Sequence, residues 1–339
     1  MKKICMCIIC LSYVFMSALC GANDIDLGAV HKVKANIERL NNPQYSHEAS
    51  VELTLAGETA APYLAEELKN PKDPFGMKVL ILQILGEIKS PAAVDAITIT
   101  LKDPNPRVRR ASARALGEIK DKKSVEALRE SLKDFDADTR YLAVRALQRI
   151  NDPALADTFI NFLKDTDVRI RAAAVDGLGD MKVTRAVNDL SSLSSDPNDN
   201  VRISLAAALG KMASKDAIPA LNALLEDRNF DVRRNALFAL GEIKDPSTIP
   251  NLIKIAERDT KELRIYATRA LGAIGSAQSI PTLTNLLHDE SIDVRLAAVE
   301  SIKKIGTDDC KKALEGLSSD ESMKVRKAAA AALEEMRTR

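Results

Sequence analysis

Residues 227–243 read DRNFDVRRNALFALGEI, and moving the frame by 31 residues in either direction finds the stretch again. In the place of Arg233 stand Lys78, Arg109, Arg140, Arg171, Arg202, Arg264, Arg295 and Arg326, with no insertion or deletion between copies. Seven places after the basic residue come Leu85, Leu116, Leu147, Leu178, Leu209, Leu240, Leu271, Ile302 and Leu333. Ten places after it come Ile88, Ile119, Ile150, Met181, Met212, Ile243, Ile274, Ile305 and Met336. The place before it is apolar except at Thr139, and the third and sixth places favour small residues such as Ala236 and Ala239. These offsets fall on one side of a 3.6-residue period, so each copy holds an amphipathic helix of roughly twelve to fourteen residues. Gly86, Gly117, Gly179, Gly210, Gly241 and Gly272 fall near its end, where they predict a helix stop.

A shorter helix precedes each of these. Before Arg233 it reads DAIPALNALLEDRN, with Ile218, Leu221, Leu224 and Leu225 at helical spacing and Asp216 placed to cap its start. Pro219, Pro250 and Pro281 recur in its first turn, where a missing N–H costs least. Each copy is therefore an αα-hairpin, and a single hairpin leaves both flanks bare. Stability has to come from stacking, so the chain is predicted to be an all-α, right-handed α-solenoid of about nine repeats.

The spacing Pro219, Asp227, Arg233, repeated as Pro281, Asp289, Arg295, resembles the Pro/Asp/Arg signature of HEAT repeats. The V-R-x-x-A-x-x-A-L-G core is similar to the phycobilisome-lyase-type subgroup, and the resemblance spans residues 59–339. Some copies depart from it. Arg258 stands where the aspartate belongs, Gln148 and Lys303 replace the glycine, and Lys78 replaces the arginine. Weaker turns or cross-repeat bonds are expected there.

Six places before the basic residue an aspartate recurs as Asp103, Asp134, Asp165, Asp196, Asp227, Asp289 and Asp320. With Arg109, Arg140, Arg171, Arg202, Arg233, Arg264, Arg295 and Arg326 it is expected to form a structural ladder. Each acid would accept N–H bonds at a helix start and pair with an arginine of an adjacent copy. The same charges in a row could instead be ligand sites.

Binding candidates lie on the other side of the long helix, which the HEAT resemblance places on a concave surface. One and five places past the arginine, two clusters emerge. Arg110, Arg114, Tyr141, Arg145 and Arg149 lie toward the N-terminus, and Arg234, Phe238, Tyr266 and Arg269 toward the C-terminus. Ile203, Ile265 and Leu296 add apolar surface. Exposed arginine and aromatic side chains together are common anchors of protein interfaces. Another protein or a peptide is the expected partner.

Residues 1–22 differ from all that follows. Lys2 and Lys3 lead into an apolar run, residues 4–19, then small residues and polar Asn23 and Asp24. This is the layout of a secretory signal cut after Ala22, and the run is short for a membrane span. A lipoprotein signal acylated at Cys20 competes with it, although Leu19 is bulky for that motif. The expected location is the periplasm or cell envelope. Cleavage removes Cys5, Cys7, Cys10 and Cys20 and leaves Cys310 alone, so no internal disulfide is available. It also leaves 47 bases against 48 acids, which gives no pull toward nucleic acid or an anionic membrane. Residues 23–58 fit the repeat poorly and are expected to form a capping helix pair, at about 26–40 and 44–56. At the other end, alanines 328–332 suggest a C-terminal cap or a subunit contact.

Catalytic motifs are sparse. Deoxyhypusine hydroxylases, a HEAT-like enzyme family, use several His-Glu pairs for iron, and this chain holds only His47-Glu48. Residues that handle bilin in the lyases cannot be mapped onto it. No metal-spaced cysteines, nucleophile elbow or phosphate-cradling loop occurs, and no cofactor is implied. The expected function is an exported interaction scaffold, with a bilin-lyase-like enzyme or a purely structural envelope component as alternatives.

Overall fold

The computed structural model describes residues 27–338, which are helical throughout with no strand among them. The secretory or lipoprotein signal expected in residues 1–22 lies outside the described residues. The chain divides into two compact units, up to Ala146 and from Leu147 onward.

The first unit holds α1 (Leu27–Arg39), α2 (Ser46–Ala56), α3 (Ala61–Glu67), α4 (Phe75–Ile88), α5 (Val94–Thr100), α6 (Pro106–Ile119), α7 (Val125–Ser131) and most of α8 (Ala137–Ile150). The second holds the end of α8 and then α9 (Ala156–Phe162), α10 (Val168–Asp180), α11 (Val187–Ser191), α12 (Asp199–Met212), α13 (Ile218–Leu224) and α14 (Phe230–Ile243). It continues with α15 (Ile249–Arg258), α16 (Lys261–Ile274), α17 (Ile280–Leu286), α18 (Ile292–Ile305), α19 (Asp308–Glu315) and α20 (Met323–Arg337). From α4 on, long even-numbered helices alternate with short odd-numbered ones. Long helices stack on the next long helix within each unit, as α12 on α14 and α16 on α18. The architecture is an all-α solenoid of helix pairs.

Burial follows the sequence pattern with two changes. The places before the arginine and three, six and seven after it are buried throughout, apart from half-exposed Leu333 in the last copy. Thr139, the polar exception, is buried because its Oγ1 donates to Asp136 Oδ2 at 2.7 Å. The tenth place is mostly half-buried. In its stead the fourth place, including Leu82, Val144, Val175, Leu237 and Val299, is sealed in every copy but the last, where Ala330 is exposed. Offset four adjoins offset seven on a helix, so the buried stripe is wider than the repeat pattern of the sequence implies. In α20 Ala329 and Ala332 are buried while Ala330 and Ala331 face outward.

The repeated glycines do not stop the helices. Most long helices run two residues further and close on a left-handed residue, Lys89, Lys120, Asn151, Ala213, Lys244, Gly275 or Gly306, while α10 runs one residue past Gly179 and meets its left-handed residue at Lys182. In most copies its N–H returns to the seventh-place carbonyl, as from Lys244 to Leu240 at 3.2 Å. The glycine one turn earlier is instead where two long helices touch. A Cβ on Gly179 would lie 2.7 Å from the Cβ of Ala208, and one on Gly210 would lie 2.9 Å from that of Ala239. Gly177 is small for a different neighbour: a Cβ there would lie 3.0 Å from the Phe159 ring.

Asp216 does not cap its helix either. Ser214 does, accepting from the Asp216 N–H, and Asp121, Asp152, Asp245 and Ser276 cap the same turn in their copies. Pro219, Pro250 and Pro281 occupy the first turn of α13, α15 and α17. The first pair of helices follows the expected 26–40 and 44–56 closely: α1 ends at Arg39, and α2 begins at Ser46 and ends at Ala56.

Gly179→Ala tests the close approach. Alanine improves helix propensity by about 1 kcal/mol, but forcing a methyl against Ala208 costs about 1–3 kcal/mol, so net destabilisation is expected in urea melts. Gly76→Ala, with open space at the added Cβ, is expected to be neutral or stabilising.

Candidate functional site

Two sets of residues were singled out by the sequence, and the structure separates them by position. The aspartates and arginines lie at the loop side of each repeat. In the first unit Arg109 grips Asp134 side-on, through Nε at 2.7 Å and Nη2 at 2.8 Å, and Lys78 reaches Asp103 at 3.1 Å. In the second unit Arg171 holds Asp196 and Arg202 holds Asp227 with the same two nitrogens. Arg264 pairs with Asp289, and Arg295 with Asp320. Every partner lies 25 residues ahead, on the loop of the following copy.

The remaining nitrogen of the arginine turns back. Nη1 of Arg109, Arg140, Arg171, Arg202, Arg295 and Arg326 donates to the carbonyl of the aspartate in its own loop, at 2.5–3.0 Å. One guanidinium thus ties its own turn to the next. The aspartates do not cap the helix directly. Oδ1 of Asp103, Asp134, Asp165, Asp196, Asp227, Asp289 and Asp320 accepts the N–H two residues on, at 2.8–2.9 Å. The capping residue is that second one: Asn105, Asp167, Asn198 and Asn229 accept from the first turn of α6, α10, α12 and α14.

Arg258 does not leave its copy without an acid. Helix α15 runs to Arg258 and ends on Asp259, which takes up Arg233 at 3.0 Å, 26 residues ahead. The bond uses Nη1 alone, and Arg233 Nε is buried with no hydrogen-bond partner. Asp73 marks the start of the series: its Oδ2 is buried without a partner, and burial together with Glu67 pushes its carboxyl pKa up.

Burial pushes Asp134, Asp196 and Asp227 up as well. Hydrogen bonds from Arg109, Arg171 and Arg202 and from the backbone outweigh it, so all three lie below the ordinary carboxylate range. The guanidinium of Arg110, followed by burial acting the other way, leaves Asp136 still lower.

The second set lies on the long helices, and none of it is buried. In the first unit Arg114 is exposed and Tyr141 and Arg145 are half-buried. Arg110 is engaged by Asp136 and Asp138. Arg149, one turn past Arg145 on α8, is exposed and falls in the second unit. In the second unit Ile203 and Tyr266 are half-buried, and Phe238 is 65% exposed. Arg234 binds Asp231 at 2.7 Å and lies over the Phe230 ring. Arg114 and Arg269 have no ion pair among the described residues.

Between α16 and α18 this face opens into a groove of about 350 Å³, lined by Glu262, Ile265, Tyr266, Arg269, Asp293, Leu296, Ala297 and Glu300. Glu262 and Asp293 escaped the sequence reading. They sit two places before the arginine, in a row that reads Asp231, Glu262, Asp293 in three successive copies. Among the described residues no group of three or more His, Cys, Asp or Glu converges as a metal site. Cys310 is buried, with Thr307 Oγ1 3.2 Å from its sulfur.

The family model for HEAT repeats matches residues 61–138, 125–195, 189–264 and 249–334. No curated protein matches the chain. Among solved structures it is similar to an engineered protein, at 19% identity and a TM-score of 0.54 over 90% of this chain and 99% of that one. YibA of Escherichia coli is similar at 22% identity and a TM-score of 0.52, over 71% and 92%. The complex of CpcE and CpcF of phycocyanin lyase from Nostoc sp. PCC7120 gives 21% identity and a TM-score of 0.43, over 72% and 94%. At these identities the likeness concerns the fold.

The ladder is tested by Asp196→Ala, which leaves Arg171 without the carboxylate it holds through Nε and Nη2. Removing one partner of a buried pair costs about 3–5 kcal/mol. Arg326→Ala, whose arginine bonds the Asp320 and Glu321 carbonyls of its own loop, is expected to cost less in the same urea melts. Because Asp134, Asp196 and Asp227 titrate lower folded than unfolded, the unfolded chain binds more protons in acid. Their contribution is complete above about pH 4–5, near the unfolded carboxylate value, and is lost as pH falls through the folded values. Urea midpoints measured from pH 7 to 3 are expected to stay level and then drop, with a shallower drop in Asp227→Asn.

Proposed function

Because the chain belongs to the HEAT-repeat family, we propose that it is an exported scaffold that captures a partner protein or peptide on the face of its long helices. The single observation that carries this reading is the groove between α16 and α18 with exposed Phe238 one repeat before it. Soluble surfaces seldom leave a large aromatic bare beside an apolar floor such as Ile265 and Leu296 unless something covers them. The long-helix face is also the one that the ladder leaves free, since the arginine–aspartate bonds are spent at the loops. Export is supported by the layout of residues 1–22, and the scaffold reading does not depend on it.

Binding and catalysis make different demands on such a face. A catalytic reading needs a nucleophile, base or metal held in a closed site, whereas this groove is open and its carboxylates, Glu262, Asp293 and Glu300, are all exposed. A visible absorption band in the purified protein would instead favour chromophore chemistry of the lyase kind.

Two variants test capture from an envelope extract, Phe238→Ser with Tyr266→Ser in the second unit and Tyr141→Ser with Arg145→Ser in the first. Loss of a specific partner with unchanged helicity and melting is the expected result for at least one of them. Capture unaltered in both would refute the assignment of this face. Mass spectrometry of the mature protein is expected to find Asn23 at its N-terminus; a lipid on Cys20 would select the other signal, and an intact Met1 would remove export.

A further inference from the structure

The charges around the α16–α18 groove are unequal. Glu262, Asp293 and Glu300 face a single lining cation, Arg269. Glu300 is satisfied by Lys303 at 3.0 Å. Glu262 and Asp293 stand across from each other on the first turns of the two helices, with only the ammonium of Lys261 between them. It lies 3.8 Å from Glu262 and 3.7 Å from Asp293, beyond hydrogen-bond reach of either. Both carboxylates therefore keep their acceptor capacity.

We propose that this groove holds an arginine or lysine side chain from an extended, basic segment of the partner. The proposal rests on the scaffold reading above. The methylenes of such a side chain fit the apolar floor of Ile265, Leu296 and Ala297, and its charged head reaches the Glu262–Asp293 rim. The Tyr266 ring on the wall adds a face for a cation. About 350 Å³ is near the lower limit of ligand pockets, room for one or two side chains rather than a folded surface. An acidic segment fits poorly, because Arg269 attracts it at one end while two carboxylates repel it at the other.

Three labelled, capped hexapeptides added to the full-length protein test this by fluorescence anisotropy: Gly-Arg-Leu-Arg-Leu-Gly and its counterparts with both arginines replaced by glutamate or by serine. The arginine peptide is expected to bind about tenfold more tightly than either other. Glu262→Gln with Asp293→Asn is expected to remove that advantage, and Lys261→Ala to strengthen binding by freeing the rim. Preference for the glutamate peptide, lost in Arg269→Ala, would overturn the proposal. So would binding of the arginine peptide that ignores the two rim substitutions, or no binding by any peptide. In that last case, capture still lost in the Phe238/Tyr266 variant would leave the scaffold standing and remove only the charge assignment; loss of neither removes both.

Discussion

The bond from an arginine to the aspartate of the following copy, as from Arg109 to Asp134 and from Arg202 to Asp227, fixes the register in which successive hairpins stack. Hydrophobic stacking is strong but unspecific in register, because rows of leucine and alanine can slide by a turn. A side-on guanidinium–carboxylate pair cannot, since both nitrogens must meet both oxygens. Burying that pair is costly unless every remaining donor and acceptor is used. In the Arg202–Asp227 pair they are used: the third nitrogen of Arg202 goes to its own turn, and the carboxylate of Asp227 also receives the Asn229 N–H, whereas Nε of Arg233, Arg264 and Arg295 is buried without a hydrogen-bond partner. The turn, the cap and the contact between copies are consequently one network.

That network leaves function to the opposite side. Residues of the ladder are committed to one another, and substitutions there act through folding. The long-helix face carries no structural duty beyond its buried stripe, so its outward places can change from copy to copy. They do: the fifth place past the arginine is arginine at Arg114, phenylalanine at Phe238 and glutamate at Glu300. Uniformity at the loops and variety on the helices is the division of labour expected of a binding solenoid.

Much of the fold was legible because the period repeats without error. Helix type, pairing and the seventh-place core all follow from where leucine and isoleucine fall. Finer features did not, for reasons of three-dimensional contact. Gly179 and Gly210 look like helix ends in one dimension, and only the neighbouring helix shows that they make room for Ala208 and Ala239. The aspartate missing at Arg258 is supplied by Asp259, because α15 is ten residues long where most of its counterparts have seven. Glu262 and Asp293 were invisible as a pair, since each alone is an ordinary acid in the first turn of a helix. It takes two stacked helices to face them across a groove.

The ladder also has a sense of direction. Where the bond is made, as from Arg109 to Asp134 and from Arg202 to Asp227, a copy sends its cation forward and offers its carboxylate backward, so a duplicated block of 31 residues would arrive carrying both halves of the bond it interrupts. Inserting or deleting one whole block needs no adjustment elsewhere, whereas a cut at any other length strands a charge. Growth and shrinkage of such a chain are therefore quantised by its electrostatics, and the one-residue slack at Asp259 marks how far that rule can bend.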